Sequence, residues 1–545
     1  MANIKFSRKE FEKQIKLTKE IEDKIPMFGT PLESLDDNEV ELEIFPNRPD
    51  LLSMHGFIRG FSAFLGKKTG LCKYKINKPE KDFQVTIDKS TLEIRPFTAC
   101  AIIKGLNFND EKIKEVIDIQ EKLHGTLGRN RKKIAIGIYP LDKIKLPIKL
   151  EARKPNDIKF VPLEAHAEMT GRQILTSHPT GREYGKLLQK YSEYPVFVDA
   201  NNEILSMPPI INSHKTGRIT NETKDIFIEC SGFDLNILKK TLNILSTMFA
   251  DMGGKIYQMN IKHKKENYVT PDLTPQKTKL NIENCNKLLG LNLKEKEIEK
   301  LLEKMGHDYR KKEVESPAWR TDILHENDII EDIAIAYGYE KIIPEIPNIS
   351  SIGQENSKEI YKRKIAEILQ GLNMLEISNY HLTTIRDQFK IANIPKKNYI
   401  EVEDSKTEYN ILRKNLIHYA LKILKENSDS EYPQKIFELG KIFEPNPDKD
   451  TGIEEQERLC IAIADAKTDF TEIKQALDYL MRMLGKEYSL EPAESPYYID
   501  GRCGKIIVNN KEIGYIGEIH PRILNNIKVK MPITALELNV DMLLE

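Results

Sequence analysis

The chain never stays apolar for long. Across its 545 residues no stretch approaches the ~18 apolar residues of a membrane span. Its short apolar runs are cut instead by glycine and proline, at Gly253-Gly254, from Pro271 to Pro275, and at Pro344 and Pro347. Such punctuation divides a chain of this length into about three to five domains. Hydrophobic residues make up 40% and charged residues 31%, enough for packed cores and a solvated surface. The 83 basic and 84 acidic residues leave a net charge of −1. A nucleic-acid binder usually carries a basic excess, so any nucleic-acid contact here has to be local or shared with a partner. The six cysteines are far apart and none forms a CxxC pair. That argues against zinc and a secreted disulfide framework and fits the reduced cytosol. Met1-Ala2-Asn3-Ile4-Lys5 shows no apolar signal region, so a cytoplasmic protein without a membrane partner is expected.

Four segments follow from the periodicity. Residues 1–85 read as an α+β domain. A charged helical pattern runs from Arg8 to Ile21 and an alternating strand from Val40 to Ile44. In Phe45-Pro46-Asn47-Arg48-Pro49-Asp50 two prolines fix φ. Asp50 stands where a helix N-cap would be, before a helix from about Leu51 to Leu65 that ends at Gly66. Residues 90–263 alternate strand-like runs with helical ones, a mixed α/β domain. Residues 268–345 read as a mainly helical domain, with helices near Asn281–Leu289, Lys294–Met305 and Asp328–Tyr337 and a strand-like stretch from Val314 to Trp319. Residues 355–545 open with a helix and continue with strands near Glu376–Leu382, Lys435–Leu439, Leu459–Ala464, Gly504–Val508, Glu512–Gly517 and Thr534–Leu538. That is an antiparallel sheet with flanking helices. The fold class is multidomain α+β.

An acidic cluster stands out in the third segment. With Asn327 as N-cap, Asp328, Glu331 and Asp332 lie at i, i+3 and i+4 on one helix face. Ile329, Ile330 and Ile333 then point toward a core, and Asp322 reaches the same spot from the preceding strand. Converging carboxylates suit magnesium or calcium. Acidic residues in a first helical turn also complement the helix dipole, which accounts for them without any metal.

Four stretches, in order along nearly the whole chain, resemble the β-subunits of phenylalanyl-tRNA synthetases. The first is Phe45-Pro46-Asn47-Arg48-Pro49-Asp50-Leu51-Leu52-Ser53, with Gly56 and Arg59. The second is Leu205-Ser206-Met207-Pro208-Pro209-Ile210-Ile211-Asn212, followed by Ile226-Phe227-Ile228-Glu229-Cys230-Ser231-Gly232. The third is Arg320-Thr321-Asp322-Ile323, with Asp328-Ile329-Ile330-Glu331-Asp332 and Ala336-Tyr337-Gly338-Tyr339. The fourth is Ile411-Leu412-Arg413, Phe437 through Phe443, and Ile516-Gly517-Glu518-Ile519-His520-Pro521. The chain stops shortly after Ala535-Leu536-Glu537-Leu538, which resembles the shorter archaeal and eukaryotic form. It departs from the family pattern at His55 and Pro140, where acidic residues are usual, and at Asp332, where Glu is usual.

The resemblance implies a heterotetramer of two α and two β subunits acting on tRNA-Phe. ATP is a substrate of the whole enzyme, and aminoacylation belongs to the α-subunit. It implies Mg2+ at Asp322, Asp328, Glu331 and Asp332, near the α-subunit contact. It makes 90–263 an editing domain that clears mischarged Tyr-tRNA-Phe. Glu229 is then the acceptor for the tyrosyl hydroxyl. Ser206, Asn212 and Ser231 serve the ester, the amino group or a hydrolytic water, and His214 assists or touches the terminal ribose. Each also has an ordinary structural reading as a turn or strand-end residue. The fourth segment resembles a class II synthetase core without catalytic motifs. Arg413 is followed by Lys414-Asn415 rather than by a glutamate two residues on, and no second motif appears, so Arg413 reads as structural. Arg48 and Arg131, the latter in the basic run 129–133, are candidates for tRNA phosphate contacts. Two other readings stay open, a free-standing deacylase of mischarged tRNA and a pure scaffold with an inactive editing site.

Overall fold

The structure, a computed structural model, describes residues 2–349 and 351–544. It forms two compact units, 1–346 and 347–545, so the first three expected segments share one unit.

The first unit opens with a three-stranded antiparallel sheet in which Glu39–Ile44 lies between Ala2–Ser7 and Leu32–Leu35. Val40, Leu42 and Ile44 alternate inward, as a half-buried strand requires. The single expected helix over 8–21 is two, Arg8–Glu12 and Lys19–Met27. Nor is Asp50 a cap. Ser53 Oγ caps the Met54–Phe64 helix by accepting from Gly56 N at 3.1 Å, while Asp50 is drawn into a two-bond pair with Arg48.

An eleven-stranded sheet dominates this unit. From one edge its order is Ile211–Asn212, Ile204–Met207, Tyr194–Val198, Ile148–Arg153, Gln84–Ile87, Lys255–Lys262, Phe97–Lys104, Ile226–Gly232 and Ile134–Pro140. Ile76–Asn77 and Tyr268–Thr270 also pair with Lys255–Lys262. The sheet thus draws in strands on both sides of the expected 90–263 segment. Gln84–Ile87 pairs parallel with both neighbours. Along Ile226–Gly232, residues 226, 228 and 230 pack on the Leu235–Asp251 helix through Leu238, Leu242, Leu245 and Phe249. The opposite face places Phe227 and Tyr139, from one end of the strand order, in one core with Phe197 and Leu205 from the other. Strands from both ends share that core because the sheet curls on itself.

The third segment carries the Ile282–Leu289, Glu295–Lys304 and Glu326–Tyr337 helices. It is less purely helical than expected, since Gln276–Lys279, Glu313–Ser316 and Asp308–Arg310 form a three-stranded antiparallel sheet.

The second unit is built on a seven-stranded sheet. The order is Leu375–Glu376, Gln434–Pro445, Ile453–Ala464, Ile533–Asn539, Lys511–Ile519, Tyr498–Val508 and Ser489–Pro492, antiparallel except for the first pair. The Ser357–Gly371 and Phe470–Leu484 helices cover one face. The Ile417–Glu426 and Pro521–Ile527 helices cover the other. The strand expected over 376–382 shrinks to the two-residue ladders Leu375–Glu376 and Leu382–Thr383. Among the described residues, no helix is long and apolar enough to cross a membrane.

Candidate functional site

Glu229 sits at the middle of Ile226–Gly232, flanked in register by Cys100 on one side and Gly137 on the other. Alternation puts it on the face of Phe227 and Ser231, inside the curl of the sheet. The carboxyl is 1% exposed. Its Oε1 accepts from Tyr139 Oη at 3.3 Å, and Oε2 has no hydrogen-bond partner among the described residues. Burial pushes this carboxyl up to about 8, against the opposing pull of Arg95. Arg95 is buried too. It donates to Ser231 Oγ at 3.2 Å and Ser231 O at 2.8 Å, and burial brings it down to about 10.

Gly137 makes this crowding possible. A Cβ there would lie 2.6 Å from Glu229 Oε1 and closer still to Tyr139 Oη. Tyr139 Oη also lies 3.4 Å from Asn212 Oδ1, joining the edge strand Ile134–Pro140 to the opposite edge strand Ile211–Asn212. Ser206 pairs with Asn212 in register; its Oγ is buried and without a partner among the described residues. The fold therefore gathers Glu229, Ser206 and Asn212 around Tyr139. Ser231 is committed to Arg95. His214 is exposed beyond the edge strand, with its backbone N donating to Val161 O. Gly137 and Tyr139 escaped the sequence reading because strand register, not spacing, brings them to Glu229, and Arg95 because it reaches Ser231 from the loop before Phe97–Lys104.

The two arginines expected at tRNA phosphates are held inside the chain. Arg131 donates to Ile210 O at 2.8 Å and to Glu121 Oε1 at 2.9 Å, clasping the same two sheet edges that Tyr139 joins. Arg48 donates to both oxygens of buried Asp50 at 2.9 Å.

The acidic cluster divides. The helix starts at Glu326, with His325 as N-cap rather than Asn327. Asp328 is its N3 residue and folds back, Oδ2 accepting from Leu324 N and His325 N at 2.7 Å. This is the helix-capping role, realised as a capping box. Asp322 takes two bonds from Arg320, at 2.8 and 2.7 Å. Asp332 is buried between Arg320, at 2.8 Å, and His307, at 2.7 Å. Burial alone would raise the Asp332 carboxyl, but Arg320 and then His307 outweigh it and hold it well below the usual range. Glu331 faces outward. Partial burial, then Asp332, Asp322 and Asp328, push its carboxyl up, so the negative charge left uncompensated collects there. Among the described residues, no three His, Cys, Asp or Glu side chains converge as a complete metal site.

The sequence matches the B3/4 domain over residues 106–248, the tRNA synthetase B5 domain over 278–339, and the phenylalanyl tRNA synthetase beta chain CLM domain over 342–540. It is 39% identical over 497 residues to a phenylalanine–tRNA ligase beta subunit of Pyrococcus abyssi, covering 90% of this chain and 89% of that one. The chain belongs to the phenylalanine–tRNA ligase β-subunit family. The β-subunit of Thermococcus kodakarensis is 40% identical over 512 residues, with 90% and 89% covered. That of Archaeoglobus fulgidus is 36% identical over 528 residues, with 95% and 94% covered. An N-terminal fragment of the Pyrococcus horikoshii β-subunit superposes with a TM-score of 0.59 at 37% identity, covering 62% of this chain and 99% of the fragment.

As a β-subunit family member the chain is a subunit of a ligase, and in its second unit the arginine expected to be structural is deeply engaged. Arg413 is 1% exposed. It donates to Glu438 Oε1 at 2.6 Å and Lys441 O at 2.7 Å, and Gly440 lacks the Cβ that would strike its guanidinium. Its Nε and Nη1 are both spent inside the fold. The family departure at His55 has an internal partner, since its Nδ1 lies 2.8 Å from Glu115 Oε2.

Proposed function

We propose that this chain is the β-subunit of a two-subunit phenylalanine–tRNA ligase. The α-subunit attaches phenylalanine to tRNA-Phe using ATP, and the Glu229 pocket removes tyrosine from mischarged tRNA-Phe. The observation that carries the second part is the unpartnered Oε2 of Glu229, buried against a mostly apolar core. An apolar pocket cannot strongly reject an added hydroxyl, so discrimination against tyrosine calls for a second, hydrolytic site. A tyrosyl hydroxyl satisfies that Oε2 edge. A phenylalanyl ring would leave it buried and unpaired, at a cost of about 1–3 kcal/mol, so phenylalanyl-tRNA is spared. Ser206 Oγ is the nearby uncommitted hydroxyl for the ester or the water, and Asn212 offers its amide. Water adds to the ester carbonyl, the bond to the ribose oxygen breaks, and that oxygen takes a proton as tyrosine leaves. His214, on the outer side, is on hand for the ribose.

Entry requires the Arg131–Ile210 and Tyr139–Asn212 links between the two sheet edges to part. The same sealing favours the second reading, a scaffold with an inactive site. In the assembled α/β enzyme, Glu229→Ala should slow hydrolysis of Tyr-tRNA-Phe at least tenfold with phenylalanylation unchanged. Equal clearance by both proteins sinks the editing reading, and no clearance by wild type establishes the scaffold. A free-standing deacylase is countered by the B5 and CLM matches; copurification with an α-subunit tests that point.

We also propose Mg2+ at the acidic cluster. The residues fit in part. Glu331 and Asp328 offer carboxylate oxygens to a hard cation, whereas Asp322 and Asp332 are shared with Arg320. The chain supplies a partial donor set, which suits a metal completed by water or the α-subunit and bracing the contact between subunits.

A further inference from the structure

Arg48 and Arg131 are spent inside the fold, yet a stretch outside the family motifs is strongly basic. Residues 66–82 carry Lys67, Lys68, Lys73, Lys75, Lys78 and Lys81 against two acids, Glu80 and Asp82. All six lysines are exposed, and none has a carboxylate partner among the described residues. Glu80 is already bonded to Lys104 at 2.7 Å. Asp308, beside the start of the stretch, is engaged by Leu71 N at 2.8 Å and by Arg310 at 3.8 Å. The backbone beneath the lysines is held in place. Gly70 N donates to Glu303 O at 2.7 Å, Tyr74 Oη donates to Asp251 Oδ1 at 2.7 Å, and Ile76–Asn77 pairs parallel with Ile256 and Tyr257.

That pairing adds a seventh cation. Lys75 and Lys255 stand just before the paired residues Ile76 and Ile256, on backbones about 5 Å apart. Lys255 is exposed and, like Lys75, has no carboxylate partner among the described residues. Like charges side by side on neighbouring strands are unfavourable, and a polyanion relieves that repulsion. All seven cations are lysines. An ammonium group meets phosphate as a point charge and lacks the planar fork that reads a base edge, so the chemistry suits a sugar-phosphate backbone rather than a base sequence. Because the whole chain has a net charge of −1, a polyanion has to be drawn by a local field of this kind.

We propose that the 66–82 stretch, with Lys255, is the surface on which this chain takes the phosphate backbone of tRNA. The proposal rests on the ligase reading, which supplies the RNA, and is independent of tyrosine clearance at Glu229.

The test is tRNA-Phe binding by the assembled α/β enzyme across a range of salt concentrations. The triple variant Lys73→Gln, Lys75→Gln, Lys78→Gln should bind about tenfold more weakly near 0.15 M salt, and its slope of log K against log salt should flatten by about two, since each lost phosphate contact removes about 0.7–0.9. The matching triple Lys→Arg variant at the same positions keeps the charge and should bind within about twofold of wild type. Cys72 lies exposed between Lys68 and Lys73, while the other five cysteines are buried. Bound tRNA-Phe should therefore slow its alkylation. Affinity and slope unchanged in the glutamine variant overturn the proposal, as does Cys72 alkylation that tRNA leaves unaffected. So does loss of the α-subunit from the glutamine variant, which makes the strip a protein contact. A wild-type enzyme that binds no tRNA-Phe fails the ligase reading itself, and this surface with it.

Discussion

Gly137 and Glu229 face one another across adjacent antiparallel strands, and the hydrogen on Gly137 stands where any other residue would put a carbon 2.6 Å from the Glu229 carboxylate. That pairing sets how the pocket can be perturbed. Gly137→Ala should push Glu229 and Tyr139 apart and destabilise the first unit by about 1–3 kcal/mol, as overpacking does. Urea denaturation measures the loss. The same variant should clear Tyr-tRNA-Phe more slowly than wild type.

Glu229 also makes stability depend on pH. Its folded-state value is raised to about 8 from an ordinary 4.5. Between these limits the unfolded carboxyl is ionised while the folded one keeps its proton. The folded state then binds more protons, so stability falls as pH rises from about 4.5 to about 8. At about 1.4 kcal/mol per unit the loss reaches roughly 3–5 kcal/mol. Glu229→Gln should therefore match wild type near pH 4.5 and exceed its unfolding midpoint increasingly toward pH 8. A difference that does not change with pH would show that the carboxyl is ionised throughout.

Arg413 and Glu438 form a buried pair in the second unit, with side chains 1% and 2% exposed. Arg413→Met leaves Glu438 buried without its cation, which should cost about 3–5 kcal/mol. The double variant Arg413→Met, Glu438→Gln should recover much of that in equilibrium unfolding. A double variant as unstable as the single one would place the loss in the Arg413 bond to Lys441 O instead.

The division within the acidic cluster predicts unequal effects on metal binding. Calorimetric titration with Mg2+ should show Glu331→Gln weakening affinity about tenfold in the α/β enzyme with little change in stability, since Glu331 is exposed. Asp328→Ala should weaken affinity and also cost about 1 kcal/mol of helix stability, because it removes a cap. Asp332→Asn should mainly destabilise, since it leaves Arg320 and His307 facing a neutral amide.

Local pattern sufficed for much of this protein. Alternation marked the strand from Val40 to Ile44, helical periodicity marked Ile282–Leu289 to within a residue, and motif order pointed to the family. These signals depend on neighbours in the chain, so they survive without a fold. Boundaries that depend on capping chemistry were less legible. Nothing local distinguishes Asp50 as a cap from Asp50 as the partner of Arg48, and only the competing cation decides it.

The tertiary structure alone decided which polar residues meet. Gly137 and Tyr139 reach Glu229 through strand register, Arg95 reaches Ser231 from a loop, and Asn212 reaches Tyr139 because an eleven-stranded sheet curls until its two edges touch. Arg320 reaches Asp332 because the intervening helix start turns that side chain inward, while Glu331 beside it stays in solvent. Sequence determines the chemistry each segment carries. Whether a carboxylate is a free ligand, a cap or half of an ion pair depends on desolvation and on charges brought from distant segments, and those exist only once the chain has packed.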